Sequence, residues 1–245
     1  MSQAKPKRDL RAALPVWRNR ILWAAALGLF GFGVAEAGHW LHAPSNLPVR
    51  AVRVQGDLQQ IGREELRAAV EPFVDSGILW LDVAAVRASV EALPWVRRAA
   101  VRRAWPDAVL VEVEERRAIA RWADGGLISH EGVKFVPQRK FGQALPVLTG
   151  PTGTEAMVTE GYLQLEKALD PVGLDIARVS VDARRAWRIA MTNGVEVVLG
   201  RDRHEARLAR FLGAWPRILG PRVNRVARVD LRYANGFAVS WREAG

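Results

Sequence analysis

The sequence contains no cysteine. That removes disulfide frameworks, thiol nucleophiles and thiolate metal sites together, and leaves a chain able to fold in an oxidising compartment without mispairing. No glycine-rich phosphate-cradling loop occurs, and neither internal repeats nor a strand series long enough for a membrane barrel can be found. Candidate metal ligands are equally sparse: His39 and His42 stand three apart with no third or fourth ligand nearby, too few for a zinc centre. Ser129 and His130 are adjacent, and chain neighbours do not by themselves make a nucleophile–base pair; no distant acid is marked. These gaps argue against an enzyme and predict a protein with no cofactor and no small-molecule substrate.

What is present is a long uncharged stretch, Ile21 to Ala35, preceded by a tail rich in Lys5, Lys7, Arg8, Arg11, Arg18 and Arg20 with only Asp9 opposing them. From Glu36 to Val49 there is no Lys or Arg. Basic residues flanking a span are retained on the cytoplasmic side, so the tail is expected inside and the body outside. The run alone fits two readings. Fifteen helical residues rise only about 22 Å against a hydrocarbon core of about 30 Å, and Ala35-Glu36-Ala37 has the small-x-small form of a signal-peptide cleavage site. A helix continued to Leu41 reaches about 31 Å, with Trp40 at one interface and Trp17 and Trp23 near the other. Both readings export the body.

After the run, residues 42–48 read as a stiff linker with two prolines, Pro44 and Pro48. Val49–Gln55 alternates as a strand ending at Gly56; Arg63–Val70 reads as a helix closed by Pro72; a second helix starts at an N-cap, Asp82, and carries Val83, Val86, Val90 and Leu93 at helical spacing before Pro94. Val101–Trp105 is a strand, Pro106-Asp107 a turn, and Val109, Val111 and Val113 alternate along another strand. The order is strand, helix, helix, strand, strand.

That order and its residues resemble a POTRA domain, and in detail the FtsQ/DivIB family of bacterial cell-division proteins. The resemblance is carried by Leu93-Pro94-Trp95-Val96, Ala100-Val101-Arg102-Arg103, Trp105-Pro106-Asp107, Val111-Glu112-Val113 and Glu115-Arg116. It continues through Leu145-Pro146-Val147-Leu148, Gly150-Pro151, Ala186-Trp187, Leu199-Gly200-Arg201, Arg207-Leu208-Ala209-Arg210-Phe211 and Val229-Asp230-Leu231-Arg232-Tyr233. Two departures stand at turns or strand entries: Ala118, where the family usually has proline, and Ser129-His130, where an aspartate is common. The expected fold class is α+β, divided into a cytoplasmic tail (1–20), a transmembrane helix (21–41), a linker (42–48), a POTRA-like domain (49–116) and a mostly antiparallel β-domain with helices (117–245). A body that resembles a tethered scaffold from end to end favours an uncleaved anchor over a signal peptide.

Beyond Arg116, short strands are expected at Ile119–Trp122, Leu127–Ser129 and Val133–Val136. A helix follows over Met157–Leu169 with Val158, Tyr162, Leu165 and Leu169 on one face, then a hairpin about Asn193-Gly194, then an amphipathic helix over Asp202–Trp215. Val229–Trp241 ends the pattern. A two-residue Asn235-Gly236 loop would split its apolar residues between faces; a three-residue loop, Ala234-Asn235-Gly236, pairs Tyr233 with Phe237 and puts Val229, Leu231, Tyr233, Phe237, Val239 and Trp241 on one face, with Gly236 left-handed. That face reads either as core or as an edge strand whose aromatics anchor a partner strand.

The resemblance implies the second reading, with Arg232, Tyr233, Asn235, Gly236, Phe237 and Trp241 matching the family's docking segment for FtsB. It implies a non-enzymatic, single-pass inner-membrane scaffold at the division septum, its bulk periplasmic, with FtsB, FtsL and other division proteins as partners. The alternative is a POTRA-type periplasmic chaperone or translocation component, separable by whether depletion blocks septation or export. Arg97-Arg98 and Arg102-Arg103 beside Trp95 and Trp105 could grip single-stranded nucleic acid, but strand alternation predicts a solvated arginine face, and no nucleic-acid partner is expected.

Overall fold

The computed structural model describes residues 14–42, 47–201 and 204–242. The tail through residue 13 and the linker residues 43–46 lie outside the described residues.

Helix α1 (Leu14–His42) contains the apolar run, and 22 of its residues, Asn19–Trp40, are apolar enough to cross a bilayer. At 1.5 Å per residue these span about 33 Å, matching a hydrocarbon core. By its contacts the chain divides into two compact units, the second of which takes in residues 57–61 and 91–98 together with the chain from Glu114 onward.

The first is built on strands β1 (Ala51–Gln55), β2 (Val96–Ala104) and β3 (Ala108–Glu115), with helices α2 (Arg63–Val74), α3 (Gly77–Trp80) and α4 (Val83–Glu91) between β1 and β2. β3 lies in the middle, pairing in parallel with β1, so β2 is an edge strand. The α4 start follows the expected cap: Asp82 Oδ1 accepts the N–H groups of Ala84 and Ala85, each at 3.0 Å, satisfying donors that a helix start otherwise leaves unpaired. Leu66 and Val70 of α2, and Val86 and Val90 of α4, are fully buried at i, i+4 spacing. Pro72 does not close α2; it sits inside the last turn. There its missing N–H forfeits a single bond near the helix end, a smaller loss than in mid-helix. The strand expected from Val101 begins earlier, at Val96.

The second sheet has nine strands in the order β12-β11-β10-β9-β8-β7-β4-β5-β6. In chain order they are β4 (Ala118–Trp122), β5 (Leu127–Ser129), β6 (Lys134–Phe135), β7 (Val147–Thr149), β8 (Ile176–Val181), β9 (Trp187–Met191), β10 (Glu196–Gly200), β11 (Val226–Asp230) and β12 (Ala238–Trp241). The pairings are antiparallel except β4–β7, β7–β8 and β10–β11. Parallel neighbours need a long return path; α5 (Glu155–Leu169) supplies it between β7 and β8, and α6 (His204–Ala214) between β10 and β11. Strands β7 and β8 are additions to the sequence reading. Ile176 and Val179, both buried, are three apart because the β8–β9 register shifts between Ile176 and Arg178, which breaks the two-residue alternation that marks a strand.

One core joins the sheet to Val158, Tyr162, Leu165 and Leu169 of α5 and Leu208 and Phe211 of α6. Past α6 the chain widens into a π turn, Trp215–Leu219, and Trp215 packs its ring 5.3 Å from that of Phe211. α5 approaches β9 closely through Gly161: a Cβ there would lie 2.1 Å from the Trp187 ring. The Asn193-Gly194 hairpin forms as expected, with Gly194 at φ 80° and Asn193 Oδ1 accepting the Val195 N–H at 3.0 Å.

Candidate partner-docking edge

Strand β12 is the terminal strand of the nine-stranded sheet, paired on one side only with β11 among the described residues. The outward N–H and C=O groups of such a strand are open to an added strand. Its register differs from the expected hairpin. Asp230 opposes Ala238 and Val229 opposes Val239, so seven residues, Leu231–Phe237, form a wide bend in place of a three-residue loop. Tyr233 therefore has no partner in Phe237, and Gly236 is not among the left-handed glycines. The register is displaced by two residues, an even number, so Val229, Val239 and Trp241 still share a face. A bulge between Val226 and Arg228 seats Trp241 opposite Val226, which lets Val226 and Val229, three apart and both fully buried, point inward together.

The bend is shaped by side chains. Asp230, at the end of β11, accepts from Arg232 at three points: the backbone N–H at 3.1 Å, Nε at 2.9 Å and Nη2 at 2.7 Å. The Arg232 side-chain bonds, outweighing the opposing effect of burial, hold the Asp230 carboxyl below the usual aspartate range. Leu231, at the start of the bend, is still tied to the sheet by its N–H, which donates to Val198 O at 2.8 Å. From α6, Arg210 donates Nη1 to the carbonyl of Ala234 and Nη2 to that of Tyr233, the latter at 3.3 Å. Arg207 Nη1 donates to Leu199 O at 3.0 Å. The far end of β12 is fastened too, by Arg242 N–H to Arg225 O at 2.7 Å and Arg242 Nη2 to Asn193 O at 3.2 Å.

The bend thus gathers Arg232, Tyr233, Asn235 and Gly236, with Tyr233 57% exposed. Phe237 is half-buried against the core, and Trp241 stands at the other end of β12, 43% exposed. Arg210 and Asp230 stand in the sequence only within the family motifs, with no site role assigned to them. An aspartate two residues before an arginine at a strand end was a usable signal for the second; Arg210 sits on the polar face of α6, where the pattern marks only solvent.

Other sequence candidates take structural places. Ser129 is fully buried and its hydroxyl accepts the Val133 N–H at 3.2 Å. Burial opposes the charge on nearby Glu131, but the Ser129 hydroxyl, a backbone N–H and Arg97 together leave its carboxyl below the usual range. On β2, Arg102 pairs with Glu112 at 2.9 Å and Arg97 with Glu131 at 3.0 Å. Acidic partners thus lie along the arginine face, which weakens it as a phosphate-binding surface. Among the described residues no group of three His, Cys, Asp or Glu converges as a metal site.

One bilayer-length apolar helix among the described residues, a three-stranded unit with helices α2, α3 and α4 between its first two strands, and a mixed sheet with an open, aromatic-bearing edge define a POTRA-bearing protein. Residues 47–116 match the FtsQ-type POTRA domain, and residues 120–232 match the C-terminal domain of cell division protein FtsQ/DivIB. The chain is 38% identical over 226 residues to cell division protein FtsQ of Xanthomonas campestris pv. campestris, covering 91% of this chain and 81% of that one. It is 36% identical to FtsQ of Allochromatium vinosum (89% and 88% covered) and 34% identical to FtsQ of Coxiella burnetii (82% and 84%). The chain belongs to the FtsQ family and is a cell division protein.

Proposed function

We propose that this protein is a non-catalytic, single-pass scaffold of the division machinery, its basic tail cytoplasmic and its body periplasmic at the septum. It recruits FtsB and FtsL by accepting a strand on β12. The working division is tail 1–20, span 21–41, linker 42–48, POTRA domain 49–116 and β-domain 117–245. The observation that carries the reading is the open edge of β12 beside a bend that exposes Tyr233. Main-chain pairing supplies affinity in strand addition, and exposed aromatics supply anchoring area at low entropic cost. Arg232, Asn235, Gly236 and Phe237 complete the proposed contact surface, and the asymmetry of basic residues about the apolar run supports the orientation.

Tyr233→Glu and Trp241→Glu are expected to abolish capture of FtsB in a pull-down while leaving the circular dichroism spectrum unchanged. Undiminished capture by either folded variant would sink the assignment.

A further inference from the structure

Because seven residues separate the paired parts of β11 and β12, no standard hairpin turn dictates the path of the bend. Left to itself, a bend of this length samples many conformations. Two side-chain devices oppose that. The Asp230–Arg232 chelate fixes its start, and Arg210 reaches from α6 to the carbonyls of Tyr233 and Ala234 at its middle. Arg210 is itself placed by a helix whose other face is locked into the core through Leu208 and Phe211. Its guanidinium is planar and forked, suited to engaging two oxygens at once.

We infer that Arg210 is a positioning residue for docking: it holds the backbone of Tyr233 and Ala234 so that the aromatic side chain is presented beside the β12 edge before any partner arrives. This rests on the proposed strand-addition site. A partner strand then meets an ordered bend, and the entropy of ordering it is not subtracted from the affinity. Without the strap, only the fraction of molecules with a suitable bend binds, and the apparent Kd rises by the inverse of that fraction.

The test uses the full chain in detergent with the periplasmic segment of FtsB as probe, comparing wild type, Arg210→Ala, Arg210→Lys and Tyr233→Glu. Arg210→Ala is expected to weaken binding about tenfold, as when the binding-ready fraction of the bend falls to about one in ten. Its melting temperature should be unchanged, because Arg210 is exposed. Arg210→Lys, which keeps a single point donor, should recover part of the affinity. In the free protein, amide exchange at 232–236 should accelerate in Arg210→Ala while β11 stays protected, a readout that a general loss of stability would not confine to the bend. Wild-type affinity and exchange in Arg210→Ala, with binding lost in Tyr233→Glu, would overturn the positioning role and leave the docking site standing. Failure of the wild type to bind the segment would overturn the docking site and this inference with it.

Discussion

Gly161 offers a sharp test of how the helical layer seats on the sheet. Glycine inside a helix is ordinarily a weakness: replacing it with alanine gains about 1 kcal/mol from helix propensity. At Gly161 the added Cβ would lie 2.1 Å from Trp187 Cη2 and 2.7 Å from Cζ3, against an optimal carbon–carbon separation of about 3.5–4.0 Å. Trp187 is buried to 7% exposure, so the ring has little room to tilt. Overpacking of this kind costs about 1–3 kcal/mol, and a rigid indole places the site near the upper end. The net expectation for Gly161→Ala is about 2 kcal/mol of destabilisation, or a melting temperature lower by about 4–8 °C for a domain of this size. Gly213 in α6 is the control, because a Cβ there meets nothing within 4 Å. Gly213→Ala should therefore raise the melting temperature by a few degrees, up to about 4 °C. Thermal unfolding of both variants, followed by near-ultraviolet circular dichroism, checks the pair. If the two substitutions shift the transition in the same upward direction, the close seating of α5 over Trp187 is refuted.

Ser129→Ala should leave division function intact and lower stability by about 1 kcal/mol, the loss of the buried acceptor for the Val133 N–H; complementation of a depletion strain together with thermal melting reads both. Asp230 has a depressed folded-state pKa. Its stabilisation is therefore present above the unfolded value of about 3.9 and is lost as pH falls through the folded one. Asp230→Asn should melt below wild type at neutral pH, and the gap should close as pH is lowered past about 4 toward full protonation. A gap that persisted in strong acid would show that the Asp230 charge contributes nothing through Arg232.

Much of this architecture was legible where local chemistry dictates it. The Asp82 cap, the Asn193-Gly194 turn and the i, i+4 valines of α4 each follow from a few neighbouring residues, and the structure has them in place. Legibility failed where nonlocal geometry overrides the local pattern. Val147–Thr149 is too short to show alternation, and Ile176–Val181 loses its alternation to an irregular register. Asn235-Gly236 advertises a tight turn, yet Leu231 continues to bond to β10 through Val198 and Arg210 bonds to the carbonyl of Ala234, and the chain between them takes a wide bend. For Val229, Val239 and Trp241 the choice of face survived because the register moved by an even number of residues, whereas Leu231, Tyr233 and Phe237 lie in the bend and not on a paired strand. The contribution of Arg210 could not be read at all, since its partners are carbonyl groups that every residue carries.

Arg210 grips main-chain oxygens, so the strap is indifferent to which side chains occupy positions 233 and 234. The shape of the bend and the identity of what it displays are thereby uncoupled. If the bend docks a partner as proposed, residues there can be exchanged to follow a changing partner while the backbone path stays constant, which would make the bend an interchangeable mount on a fixed frame.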